Sequence, residues 1–128
     1  MSAKKLVYIV EDSTIIARIL TNVISELQGV KAANFQTGEA MLNLLPKEKP
    51  NLILLDYYLD AEQKNSMNGA QVMLEIKRLF PKMQVILLTG MSDNAKLEEL
   101  KTLGFSEILN KDADDIVMQV LECVKRHL

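Results

Sequence analysis

Four short β-like runs in this sequence each end in side chains able to do chemistry. Leu6–Val10 runs into Glu11 and Asp12, Leu52–Leu55 into Asp56, Gln84–Leu88 into Thr89 and Gly90, and Glu107–Leu109 into Asn110 and Lys111. Taken singly, each is ordinary. Asp12 would serve as a helix cap, Glu11 as a solvated acid, Asp56 and Thr89 as strand ends, and Lys111 as a surface lysine. Their shared position carries the argument, because parallel strands bring all four ends to one edge of a sheet. Three carboxylates gathered there repel one another by about 4 kcal/mol per pair, for a separation of about 4 Å and an effective dielectric of ~20. One lysine does not cancel that repulsion, and a divalent cation does. A hard, all-oxygen site of Glu11, Asp12 and Asp56 suits Mg2+ better than zinc, which favours histidine or cysteine. Such an ion would screen Asp56 from an incoming phosphate and stabilise charge on the transferring oxygens. Lys111 would contact phosphoryl oxygens as a point charge. Thr89 offers a hydroxyl donor, and Gly90, lacking a side chain, would leave room beside the backbone.

The elements that must position these groups alternate along the chain. Leu6–Val10 is a continuous apolar run, as a strand buried on both faces requires. Ser13 to about Gln28 follows with Ile15, Ile16, Ile19, Leu20, Val23, Ile24 and Leu27 at helical spacing, and Gly29 ends it. Val30 to Phe35 reads as a weaker strand nearer an edge. A short helix starts at Thr37 and closes before Pro46. Leu52–Leu55 is a third strand ending at Asp56, followed by a polar loop to about Asn68. A helix runs from Gly69 to Phe80 and stops before Pro81. Gln84–Leu88 is the fourth strand, Asp93 to Leu103 a helix broken by Gly104, Glu107–Asn110 the fifth strand, and about Ala113 to Arg126 the last helix. Five βα units with short connections imply an α/β fold. We expect a doubly wound, flavodoxin-like five-stranded parallel sheet of order 2-1-3-4-5, with ligands beyond the carboxyl ends of the strands.

Bulk properties narrow the function. The 128 residues suit one domain spanning 1–128, and 48% hydrophobic with 25% charged residues is a folding composition. A formal net charge of -2 gives no case for nucleic acid or an anionic membrane as a partner. The single cysteine, Cys123, excludes an internal disulfide and reads as a buried helix thiol. His127, the single histidine, reads as a solvated end residue outside any ligand cluster. The N-terminal residues do not resemble a signal peptide, and no apolar run approaches membrane-spanning length, so a cytoplasmic setting is expected.

Together these segments resemble the receiver domains of two-component response regulators, over about Lys5 to His127. The resemblance rests on Tyr8-Ile9-Val10-Glu11-Asp12-Ser13, Leu52-Ile53-Leu54-Leu55-Asp56, Leu87-Leu88-Thr89-Gly90 and Asn110-Lys111. It implies that Asp56 accepts phosphate from a histidine kinase or histidine phosphotransfer protein. It also implies that Glu11, Asp12, Asp56 and the backbone carbonyl of Tyr58 hold Mg2+, and that Thr89 and Lys111 bind the phosphoryl group. A signalling switch rather than an enzyme is expected, presenting the face of the fourth helix, fifth strand and fifth helix to a downstream protein target.

Departures from the family pattern are Asp112 in place of the proline after the lysine, Ile108 in place of an aromatic residue, and a longer segment from Asp56 to Gly69. The extra residues, Asp60 to Met67, are expected to form a polar loop beside the site. Nothing in the sequence follows the last helix, so no output domain is expected. Tyr58 and Met91 are expected to flank the phosphorylated carboxylate and slow its hydrolysis. The alternative is a pseudo-receiver that docks partners without phosphorylation. An aspartate-nucleophile phosphohydrolase would want a second acid where Tyr58 stands, and a flavodoxin-like carrier would want a hydroxyl-rich loop where Glu11 and Asp12 stand. No Gly-rich loop ending in Lys-Ser/Thr is present for a nucleotide triphosphatase.

Overall fold

A computed structural model describes residues 4–59 and 65–128. Among the described residues, ten elements alternate as the sequence predicts. They are β1 (Lys5–Val10), α1 (Thr14–Ser25), β2 (Val30–Phe35), α2 (Gly38–Leu44), β3 (Leu52–Asp56), α3 (Gly69–Leu79), β4 (Val85–Thr89), α4 (Asn94–Lys101), β5 (Glu107–Asn110) and α5 (Ile116–His127). The five strands pair in parallel in the order β2-β1-β3-β4-β5.

The continuous apolar strands follow from burial on both faces, with successive residues pointing to opposite sides. Val7, Ile9, Leu52, Leu54, Ile86, Leu88 and Leu109 pack beneath α1 and α5, against Leu20, Ile24, Val120, Cys123 and Val124. Tyr8, Val10, Ile53, Leu55, Val85 and Leu87 pack against Met41, Leu45, Val72, Met73, Ile76 and Leu100 of the α2, α3 and α4 side. Each such apolar side chain, once fully buried, stabilises the fold by roughly 1.5–3 kcal/mol.

Local chemistry sets the helix boundaries. Ser13 caps α1, accepting from the Ile16 N–H, so Asp12 is not the cap. Asn68 and Gln71 form a reciprocal capping box that starts α3. Gly29 takes the left-handed conformation (φ 75°) that turns the chain from α1 into β2.

Three expectations shift. The helix expected over Asp93 to Leu103 ends at Lys101, where the Thr102 hydroxyl donates to the Glu99 carbonyl. The last helix starts at Ile116 rather than near Ala113. Asp112, Asp114 and Asp115 favour turns, and the Asp112 N–H is taken by the Asn110 side chain. Finally, the apolar residues of α1 occupy more of its circumference than the sheet covers, which leaves Ile15 74% and Ile19 46% exposed.

Candidate functional site

Sequence order runs from β1 outward to β2 and then returns to β3 on the other side of β1. The crevice beyond the ends of β1 and β3 is therefore the switch point of the sheet. Val10 pairs with Leu55, Asp56 with Leu88, and Thr89 with Asn110, so the polar residues leave the sheet at nearly one level. One carboxylate oxygen from each of Glu11, Asp12 and Asp56 lies within 4.8 Å of the others, and all three residues are buried. Lys111 arrives from β5 with its ammonium 2.7 Å from Glu11 Oε1 and 3.1 Å from Asp56 Oδ2. The first contact is a hydrogen bond, while the second is a charge contact without hydrogen-bond geometry.

The electrostatics are those of crowded acid. Burial pushes the Glu11 carboxyl up to about 8, the neighbouring Asp56 carboxylate pushes the same way, and the Lys111 ammonium opposes both. Burial works against the Lys111 charge, but Glu11 and Asp56 outweigh it and hold the ammonium above its ordinary range. Glu11 Oε2 is buried without a hydrogen-bond partner. An orphaned carboxylate oxygen inside an all-oxygen, net-negative cluster fits a hard divalent cation of the Mg2+ type.

The remaining expected residues sit around this centre. Thr89, buried at the end of β4, accepts a hydrogen bond from the Met91 N–H at 3.1 Å. Its neighbours Met91, Leu97, Lys101, Ile108, Leu109 and Asn110 complete a cavity of about 220 Å³. The Tyr58 N–H points at Asp56 Oδ1 at 3.4 Å, while its ring is exposed and stands edge-on to Tyr57. The space beside Gly90 is not open, since an added Cβ there would lie 2.7 Å from Asp112 Oδ2. No described peptide bond is cis. Of the polar loop expected over Asp60 to Met67, residues 60–64 lie outside the described residues. Its far end is anchored where the Met67 N–H donates to Glu39 Oε2.

Two features escape the sequence reading. Gly69 marks the start of α3, but its role is a close approach, because a Cβ there would lie 2.7 Å from Tyr57 Cα and 2.9 Å from the Asp56 carbonyl oxygen. Its N–H donates to the Tyr57 carbonyl at 2.8 Å, which locks the loop carrying Asp56 to the end of α3. The only available signal was a glycine opening a helix behind a good cap. The second feature is His127, which is no solvated end. It is half-buried and bonded to Gln84 and Glu107, beside Cys123. The four-residue spacing of Cys123 and His127 on an apolar helix was the signal for that cluster.

Fold and pocket thus define a doubly wound, flavodoxin-like α/β protein that gathers three acids and a lysine at its switch point. Comparison with protein-family models matches residues 7–121 to the response regulator receiver domain. The chain belongs to that family, whose members are phosphoacceptors of two-component signalling. Among curated relatives it is 27% identical over 111 residues to sporulation initiation phosphotransferase F of Bacillus subtilis, covering 87% of this chain and 84% of that protein. It is 25% identical over 111 residues to a protein-glutamate methylesterase/protein-glutamine glutaminase of Trichodesmium erythraeum, covering 84% of this chain but only 30% of that protein. Among solved structures, the response regulator TrrA of Thermotoga maritima, in complex with Mg2+ and BeF, superposes with a TM-score of 0.79 at 23% identity, over 97% of this chain and 99% of that one. Among the described residues, no helix is long and apolar enough to cross a membrane.

Proposed function

We propose that residues 1–128 act as one Mg2+-dependent receiver unit in which Asp56 accepts a phosphoryl group from a histidine kinase or histidine phosphotransfer protein. The observation that carries this reading is the buried Asp56 carboxylate, held within 4.8 Å of Glu11 and Asp12 and 3.1 Å from Lys111 at the switch point of the sheet. Glu11, Asp12, Asp56 and the Tyr58 carbonyl are the ligands assigned to Mg2+. When bound, the ion supplies charge neutralisation for the transferring oxygens. That TrrA was solved with Mg2+ and BeF supports the Mg2+ dependence of this reading.

In the transfer, an Asp56 oxygen forms a P–O bond as the P–N bond of the donor phosphohistidine breaks, and the donor imidazole leaves. Lys111 turns from Glu11 toward the phosphoryl oxygens. The Thr89 hydroxyl, now accepting from Met91, has its proton available to donate to the same group. Ile15 and Ile19 form an exposed apolar face on α1, whose first turn begins beside the acids, and they suit the docking of the phosphodonor. The output face is α4, β5 and α5. Only Leu100 of α4 is buried, so this helix is lightly held and free to change its seat when Thr89 moves.

The test is incubation with acetyl phosphate, with and without Mg2+, read by intact mass. A gain of one phosphoryl group that needs Mg2+ and vanishes in Asp56→Asn is expected. A gain that persists in Asp56→Asn would reassign the acceptor, and no gain with any donor would favour a pure docking module.

A further inference from the structure

A second convergence of titratable side chains lies at the opposite edge of the sheet from the acidic pocket. Glu107 opens β5, and Cys123 and His127 project from one face of the last turns of α5. Cys123 Sγ lies 3.0 Å from Glu107 Oε2, and His127 Nε2 lies 2.7 Å from the same oxygen. The three ligand atoms fall within 4.8 Å of one another, with Cys123 buried and the other two half-buried.

The orientation of the imidazole is the telling feature. Gln84 Nε2 donates to the His127 carbonyl at 3.2 Å, which turns Gln84 Oε1 toward His127 Nδ1 at 2.7 Å. An amide oxygen only accepts, so Nδ1 carries the proton. The Cys123 thiol donates to Glu107 Oε2, and His127 Nε2 faces the same oxygen at 2.7 Å. A metal ion seated among the three can displace the thiol proton and take Nε2 as a ligand.

We propose that Glu107, Cys123 and His127 form a Zn2+ site that ties the end of α5 to the start of β5. Thiolate, imidazole and carboxylate are zinc ligands at about 2.3, 2.0–2.1 and 2.0–2.2 Å, which gives tetrahedral edges of roughly 3.5 Å. The two short contacts to Glu107 therefore need to open by less than about 1 Å. Solvent water completes the fourth position. Gln84 is the outer partner that fixes the ring and leaves Nε2 as the ligand. Arg126 bonds Glu107 Oε1 at 2.8 Å and Oε2 at 3.0 and 3.3 Å. Being exposed, it can keep Oε1 and yield Oε2. The Cys123 thiol bond, then Arg126 and His127, hold the Glu107 carboxyl down to about 2, so it is an ionised ligand. Burial, then Glu107, hold the Cys123 thiol up to about 12, so binding must release its proton. A thiolate ligand selects against Mg2+, so the two sites of this chain sort two different metals.

The test is titration of the full chain with Co2+, as a spectroscopic stand-in for zinc, in saturating Mg2+ that occupies the acidic pocket. One equivalent of Co2+ is expected to give a thiolate-to-cobalt charge-transfer band in the near ultraviolet, which Zn2+ abolishes by displacement. Cys123 is the sole cysteine, so the band can arise nowhere else. Cys123→Ser should remove the band. His127→Ala should weaken Zn2+ binding at least about 10-fold, and Gln84→Ala by about 10- to 100-fold. Zn2+ should raise the Tm of the wild type and not of His127→Ala. Absence of the band in the wild-type protein overturns the proposal. So does an unchanged Zn2+ affinity in His127→Ala, a variant at the helix end that decides the question even if Cys123→Ser does not fold.

Discussion

Glu11 and Lys111 stand 100 residues apart in the chain and 2.7 Å apart in the structure. The ammonium is the one cation in contact with the buried acids among the described residues, and it shares itself between Glu11 and Asp56. Removing it takes that counter-charge away from Glu11 and Asp56. Lys111→Met should therefore lower the stability of the metal-free protein by about 2 kcal/mol. That is less than the ~3–5 kcal/mol for a fully buried pair, because the lysine side chain is 20% exposed and Glu11 can take a proton. Urea denaturation in a chelator at pH 8 measures this. An unchanged midpoint would show that the lysine contributes nothing to holding the acids together.

Glu11 gives the protein a pH dependence of defined sign. Its carboxyl is raised from 4.5 to about 8 by burial and then by Asp56. A group raised in the folded state contributes stability that is complete below its unfolded value and is lost as pH rises through its folded value. The metal-free protein should lose stability between about pH 4.5 and 8, at no more than ~1.4 kcal/mol per unit. Saturating Mg2+ should flatten this slope, because the ion favours the ionised carboxylates. Glu11→Gln should flatten it without metal, and an identical slope in that variant would sink the assignment.

Gly69 is a packing requirement rather than a turn residue. A methyl group there meets the Tyr57 Cα at 2.7 Å and the Asp56 carbonyl oxygen at 2.9 Å, and backbone cannot rotate aside as a side chain can. Gly69→Ala should cost about 1–3 kcal/mol, in the range for overpacking. Because the displaced backbone carries Asp56, Mg2+ affinity should fall in the same variant. Isothermal titration of the folded fraction separates the two effects.

Tyr57, Tyr58, Met91, Asp93 and Lys96 line a shallow cavity of about 220 Å³ next to the site. Tyr58 and Met91, two bulky side chains with no charge, line this cavity and are expected to hinder the approach of water to a phosphorylated Asp56. We expect a long-lived phosphoryl group on the wild-type protein and faster loss in Met91→Glu, where a carboxylate can orient the attacking water. A time course of intact mass after removal of the phosphodonor decides it, and equal lifetimes would remove Met91 from the account.

The sequence by itself determined the order of the elements, the parallel sheet and the edge to which Glu11, Asp12, Asp56, Thr89 and Lys111 converge. These follow from one-dimensional rules: apolar runs of strand length, helical spacing, and polar residues at strand ends. Only the tertiary structure decided which side chains actually meet. That Lys111 divides itself between Glu11 and Asp56, that Asp112 fills the space beside Gly90, and that Ile15 faces solvent while Leu20 does not all depend on the packing of helices against the sheet. The same is true of the Glu107, Cys123 and His127 cluster. Its members come from a strand start and a helix end, and α5 has to run back along β5 before they can touch. Periodicity gives a residue its face on an element, but contact across elements is set by the three-dimensional register of one element on another.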